Sequence, residues 1–161
     1  MTLSIGSNSF NDGNYLSPKH TLIAEYGFGC EGNNISPELH WSGAPEGTKS
    51  FALTCFDPDA PTGSGFWHWV VVNIPADMAS IAEGSDGLSA RALQTRTDFG
   101  KPGYGGPCPP GSDHPHRYVF TLHAVGVDSL PVEADTSAAV VGFMLHFNAI
   151  EKTTLMSFAK R

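Results

Sequence analysis

Charge is scarce in this sequence. Only 16% of its 161 residues are Asp, Glu, Lys or Arg, against roughly 25% in an ordinary soluble domain. Positive charge is scarcer still: nine Lys and Arg face sixteen Asp and Glu, a formal charge of −7, so no sequence-wide cationic field exists to hold a nucleic-acid backbone. Nucleic acid is not expected as a partner. Cysteine is limited to Cys30, Cys55 and Cys108, an odd number without C-x-x-C spacing, and reduced thiols are expected. No apolar run approaches the roughly 18 residues that span a bilayer. Met1 to Gly13 lacks both the basic start and the apolar stretch of a signal peptide, so a soluble, cytoplasmic chain is expected.

Several catalytic signatures are also missing. There is no H-E-x-x-H helix, no set of Cys ligands and no facial triad, so no metal or other cofactor is expected. Ser64 lies in Gly63-Ser64-Gly65 rather than a G-x-S-x-G elbow. Gly103-Tyr104-Gly105-Gly106 runs into prolines instead of a helix, which excludes a phosphate loop or a dinucleotide fingerprint as a motif.

What the chain does have is punctuation. Its 18 Gly and 12 Pro separate short apolar runs without any composition break or internal repeat, so one domain over residues 1–161 is expected. Ser50 to Phe56 and Trp67 to Ile74 are apolar on both faces, as in buried strands, while Tyr118, Phe120, Leu122 and Ala124 alternate with Arg117, Thr121 and His123 as in a half-polar strand. One stretch has helical logic. Asp135, Thr136 and Ser137 offer capping oxygens, after which Val140, Phe143, Met144, Phe147 and Ile150 recur at helical spacing. A final strand follows over Thr153–Ala159, and a short second helix is predicted for Ala76–Glu83.

Polar clusters fall where these strands start and stop. Asp57-Pro58-Asp59-Ala60-Pro61 follows an apolar strand, and although Asp and Pro are ordinary turn formers, Asp57 leaves buried surroundings and needs a partner. His68, between Trp67 and Trp69, is by itself more often a core histidine than a ligand; beside an acidic turn it becomes a candidate, with the carboxylate raising its pKa. Between Asp98 and His114 more than half of the residues are Gly or Pro. A stretch this long without regular structure is functional or disordered, and its prolines favour an ordered pocket wall. His114, His116 and Tyr118 share one face of the strand that follows. Asp57, Asp59, His68, His114 and His116 suit metal ligation in type but not in spacing.

Taken in order, Asp57-Pro58-Asp59-Ala60-Pro61, His68-Trp69, Gly103-Tyr104-Gly105-Gly106-Pro107-Cys108-Pro109-Pro110 and His116-Arg117-Tyr118-Val119-Phe120 resemble the phosphatidylethanolamine-binding protein family, most closely its compact bacterial branch of Raf kinase inhibitor-like proteins. The resemblance runs from about Phe10 to Ala159 and includes Ser36-Pro37-Glu38-Leu39 and Trp41-Ser42-Gly43-Ala44-Pro45. It implies a mainly β fold, an antiparallel sandwich-like domain with a large central sheet, a smaller sheet and one or two peripheral helices. It further implies a small pocket for phosphate-like anions or phospholipid headgroups, built on Asp57, His68, His116 and Tyr118 with Pro61, Phe66, Cys108 and Pro109 as walls. The chain departs from the family in its Cys at position 108, and it ends at Arg161 without the C-terminal helical extension of longer members.

The function expected is non-enzymatic binding of a small anionic ligand, with a kinase- or protease-inhibitor-like role as its extension and a protein partner or homodimer left open. The donors expected are imidazoles held by Asp57, which orients and charges His68, the Tyr118 hydroxyl, and backbone N–H groups of the glycine loop. The rival is a His/Asp-based or metal-assisted hydrolase of a small phosphorylated substrate.

Overall fold

The computed structural model describes residues 2–84, 88 and 90–161. Its architecture is mainly β. Strands β3 (Ser50–Asp57), β4 (Phe66–Pro75), β6 (Leu93–Gln94), β7 (His116–Val125) and β8 (Ala149–Ala159) form a five-stranded antiparallel sheet in the order β6-β4-β3-β7-β8. Strands β1 (Ser4–Gly6), β2 (Leu39–Ser42) and β5 (Ser80–Ile81) form a smaller sheet in the order β1-β2-β5. Helix α1 (Ala138–Asn148) lies on the other side of the large sheet.

The alternation of each strand builds two cores. Phe51, Leu53 and Cys55 of β3, Trp69 and Val71 of β4, and Tyr118, Phe120, Leu122 and Ala124 of β7 meet Leu39, Trp41 and Ile81 of the small sheet. Ala52, Val70 and Val72 point the opposite way, onto Ala138, Val141 and Leu145 of α1. At the end of β4, Asn73 takes a left-handed φ of 57° and accepts from Leu130 N at 2.8 Å. The phase of the strand changes there, so Ile74 rejoins the inter-sheet core.

Two local expectations are corrected. Residues 76–83 do not form a helix: after Pro75 a turn closed by Met78 N to Pro75 O delivers β5 to the small sheet, where Leu39 pairs with Ile81. Pairing and full burial of Ile81 override local propensity. The helix after Ser137 does form, with Val140 N donating to the Ser137 hydroxyl at 3.3 Å, but it turns a different face inward. Val140, Phe143 and Phe147 are exposed, as is Ile150, which belongs to β8. The segment is apolar nearly all round, so periodicity allowed two stripes, and the one that packs on the sheet is Ala138, Val141 and Leu145, with Met144 against it.

Candidate functional site

Because β3 runs antiparallel to both β4 and β7, its end lies beside their beginnings; Asp57 pairs in register with Phe66, and Phe56 with Val119. That corner of the sheet gathers the polar residues of three distant segments. A cavity of about 250 Å³ opens there, lined by Asp57, Pro61, Phe66, His68, Cys108, Pro109, His116 and Tyr118, so every site residue expected from the sequence lies on one surface. Leu22, Phe28, Phe99 and Pro110 also line it. The first two come from an N-terminal segment that carried no motif.

The hydrogen bonds inside the site differ from the expected ones. Asp57 serves His116, not His68: its Oδ2 lies 2.8 Å from His116 Nδ1, and its Oδ1 accepts from Asp59 N at 2.8 Å. His68 Nδ1 lies 2.7 Å from the Gly105 carbonyl. A carbonyl only accepts, so Nδ1 carries the proton and a neutral ring keeps Nε2 as an acceptor. Burial pulls the His68 pKa down, and the upward pull of Gly105, Asp57 and neighbouring groups does not restore it. His68 is therefore a neutral imidazole beside Phe66, Phe99 and Tyr118, whose ring centroids lie 5.0, 5.4 and 5.1 Å away.

His116 is in the opposite state. Its Nε2 lies 2.7 Å from Asp113 Oδ2, so each ring nitrogen faces a carboxylate. Burial works against charge, but the hydrogen bonds to Asp57 and Asp113 prevail and its pKa is raised. Tyr118, almost fully buried, has its hydroxyl pKa pushed up by burial and then by the Asp57 charge, and it stays an O–H donor.

The glycine loop is held shut rather than offered. Gly105 N donates to the His68 carbonyl at 3.0 Å and Gly106 N to Asn34 Oδ1 at 2.7 Å, so neither of these N–H groups is the free donor that was expected. Asn34 also donates from Nδ2 to the Tyr104 carbonyl at 3.0 Å, from a left-handed backbone with φ of 54°. A Cβ on Gly106 would strike the His20 carbonyl and one on Gly105 the Phe99 ring, which is why the loop needs glycine at these positions. Asn34 stands two residues before Ser36-Pro37-Glu38-Leu39, and nothing in the sequence pointed to its role in the loop.

The cysteines are also corrected. Cys30 and Cys108 form a disulfide across 78 residues of sequence, tying the glycine and proline loop to the N-terminal segment, while Cys55 is a free thiol buried in β3. An odd count leaves room for one bridge, and without coordinates no spacing rule could have chosen the pair. The remaining candidates do not line the cavity: the Asp59 carboxylate is clamped by Arg117 at 2.9 and 3.0 Å while its N–H serves Asp57, and His114 is exposed.

Residues 6–159 match the phosphatidylethanolamine-binding protein family. The chain is 51% identical over 151 residues to the protein YbcL of Escherichia coli, covering 91% of this chain and 81% of that one. It is 49% identical over 153 residues to YbhB of the same organism, covering 92% and 94%. The crystal structure of E. coli YbcL, described as a new member of the mammalian PEBP family, superposes with a TM-score of 0.95 at 44% identity, covering 100% of this chain and 99% of that one.

Proposed function

From a chain that belongs to the phosphatidylethanolamine-binding protein family, we propose a non-enzymatic binding protein, one domain over residues 1–161, whose cavity takes a phosphate-like anion, free or as a lipid headgroup. The observation that carries this reading is the convergence of His68, Tyr118 and the Asp57–His116 pair on one small, largely apolar cavity. In dry surroundings a few well-placed donors hold an anion strongly. Tyr118 supplies an O–H, which faces the Asp57 carboxylate in the unliganded site and turns to the anion. His68 offers Nε2, which accepts from a phosphate monoanion that still carries its proton, or donates to a dianion after taking up a proton from solvent. Both routes reach the same count of protons, and both suit groups that titrate near neutrality.

Asp57 has its carboxylate engaged by His116 and by Asp59 N, and both His116 nitrogens face carboxylates. Neither of these groups is free to activate water, so a hydrolase would have to use His68 Nε2 as its base. Among the described residues no helix is long and apolar enough to cross a membrane. The Cys30–Cys108 bond favours an oxidising compartment over the cytoplasm expected from the sequence.

Titration calorimetry with phosphate and with phosphoethanolamine tests the proposal and separates the free anion from the headgroup. Binding is expected in the native chain and weakened at least tenfold in His68→Ala and in Tyr118→Phe, an effect of about 1.4 kcal/mol or more. Unchanged affinity in both variants refutes the site. Steady turnover of a phosphomonoester that disappears in Asp57→Asn establishes the hydrolase instead.

A further inference from the structure

We infer that Asp113, outside the cavity, is a positioning residue that fixes the charge of His116 and through it the anion affinity of the site. This rests on the anion-binding reading above. The geometry is a three-group chain: Asp57 Oδ2 at 2.8 Å from His116 Nδ1, and His116 Nε2 at 2.7 Å from Asp113 Oδ2. Ionised carboxylate oxygens only accept hydrogen bonds. Both nitrogens must then carry hydrogen, and the ring is an imidazolium.

The two carboxylates differ in surroundings. Asp57 and His116 are almost fully buried, with side chains 3% and 1% exposed, whereas the Asp113 side chain is 29% exposed. The inner carboxylate is neutralised by His116 where the dielectric is low, and the outer charge is spread into water and salt. Asp113 is held in place by its own N–H to the Pro110 carbonyl at 3.1 Å and by Lys160 Nζ donating to its backbone carbonyl at 2.9 Å.

Without the outer carboxylate the balance reverses. A neutral ring with hydrogen on Nδ1 still satisfies Asp57, nothing then requires a proton on Nε2, and burial favours the neutral form. Asp57 would stand as an uncompensated negative charge at the cavity and repel an anion. The other charged groups near His116 do not replace Asp113. Asp59, following β3, is spent on Arg117 of β7; His114, from the preceding loop, meets the His116 ring at 6.3 Å between centroids and brings no carboxylate. Lys160 brings a positive charge near the loop, which also disfavours an imidazolium. Across the cavity His68 is neutral.

The experiment uses Asp113→Asn and Asp113→Glu in the full chain. The protonation of His116 is read by nitrogen-15 NMR, and the affinity for inorganic phosphate by calorimetry at pH 5.5 and 7.5, each as a ratio to the native chain so that the titration of phosphate itself cancels. The expected result at pH 7.5 is an imidazolium in the native chain, a neutral ring in Asp113→Asn, and about tenfold weaker phosphate binding in that variant, the effect of one unscreened charge nearby. At pH 5.5, where acid drives the variant's ring back toward the imidazolium, the ratio is expected to narrow to about twofold. Asp113→Glu is expected to retain the native behaviour.

Tighter phosphate binding at both pH values would mean that Asp113 only repels anions, and an equal loss at both would mean a merely structural role. Either overturns the proposal, as does an imidazolium that persists in Asp113→Asn at pH 7.5. A native chain that binds no phosphate refutes the anion reading itself, while the NMR measurement still decides whether Asp113 sets the charge of His116.

Discussion

Breaking the Cys30–Cys108 bond tests how the wall of the cavity is held. The bridge closes a loop of about 78 residues, which in the chain-entropy account removes about 15 cal/mol/K from the unfolded ensemble, or about 4.5 kcal/mol at 25 °C. Measured effects fall below that ceiling, so a loss of about 2–4 kcal/mol is expected for the double variant Cys30→Ser, Cys108→Ser. For a chain of this size that is a fall in melting temperature of roughly 5–15 °C. Non-covalent contacts also hold the segment: Leu22 N to Pro107 O, Gly106 N to Asn34 Oδ1 and Arg161 Nε to Pro109 O. The native fold should therefore persist in the double variant. Urea unfolding followed by Trp fluorescence measures the difference, with the reduced native chain as a second route to the same state. A loss below about 1 kcal/mol by both routes would show that the non-covalent contacts alone hold the wall and that the entropy argument fails here.

Anion binding is expected to depend on pH through His68: its folded pKa lies below the ordinary 6.5, so affinity for sulfate, which brings no proton, should fall about tenfold per pH unit above neutrality. Calorimetry from pH 6 to 8 checks this, and a flat profile refutes it. Asn34→Ala leaves the Gly106 N–H and the Tyr104 carbonyl without their partners and is expected to cost about 1–3 kcal/mol and to weaken phosphate binding, both read in one set of titrations. On the helix, Leu145→Ala is expected to cost about 2–4 kcal/mol, whereas Phe147→Ser at an exposed position should stay within about 0.5 kcal/mol; denaturant midpoints in the reverse order would contradict the observed face of α1. The Asp59–Arg117 pair, with Asp59 held at about 2 by the Arg117 hydrogen bond, lends stability above the unfolded carboxylate pKa that is lost as pH falls through 2. Thermal melts between pH 5 and 2 should accordingly fall more steeply in the native chain than in Asp59→Asn.

Strand positions were legible in the sequence because they depend on local rules, whereas the grouping of the pocket residues was implied by the family resemblance. Alternation over Ser50–Phe56 and Tyr118–Ala124 fixes which side chains go inward, and apolar runs bounded by Asp-Pro or Pro mark the strand ends from which Asp57, His68 and His116 project. The partnerships were not legible. Asp57 stands eleven positions from His68 and fifty-nine from His116, yet it bonds the farther one, because β3 lies between β4 and β7 and either neighbour can present its histidine to it. Which one does so follows from the Gly105 carbonyl, which occupies Nδ1 of His68 and is itself set by the loop that Asn34 clamps. The same holds for the disulfide and for the face of α1: composition allowed several pairings and two stripes, and the choice was made by long-range packing. Sequence thus determined which residue types meet at the corner of the sheet. Tertiary structure decided which imidazole is charged, since that depends on burial and on carboxylates brought from segments that no local pattern connects.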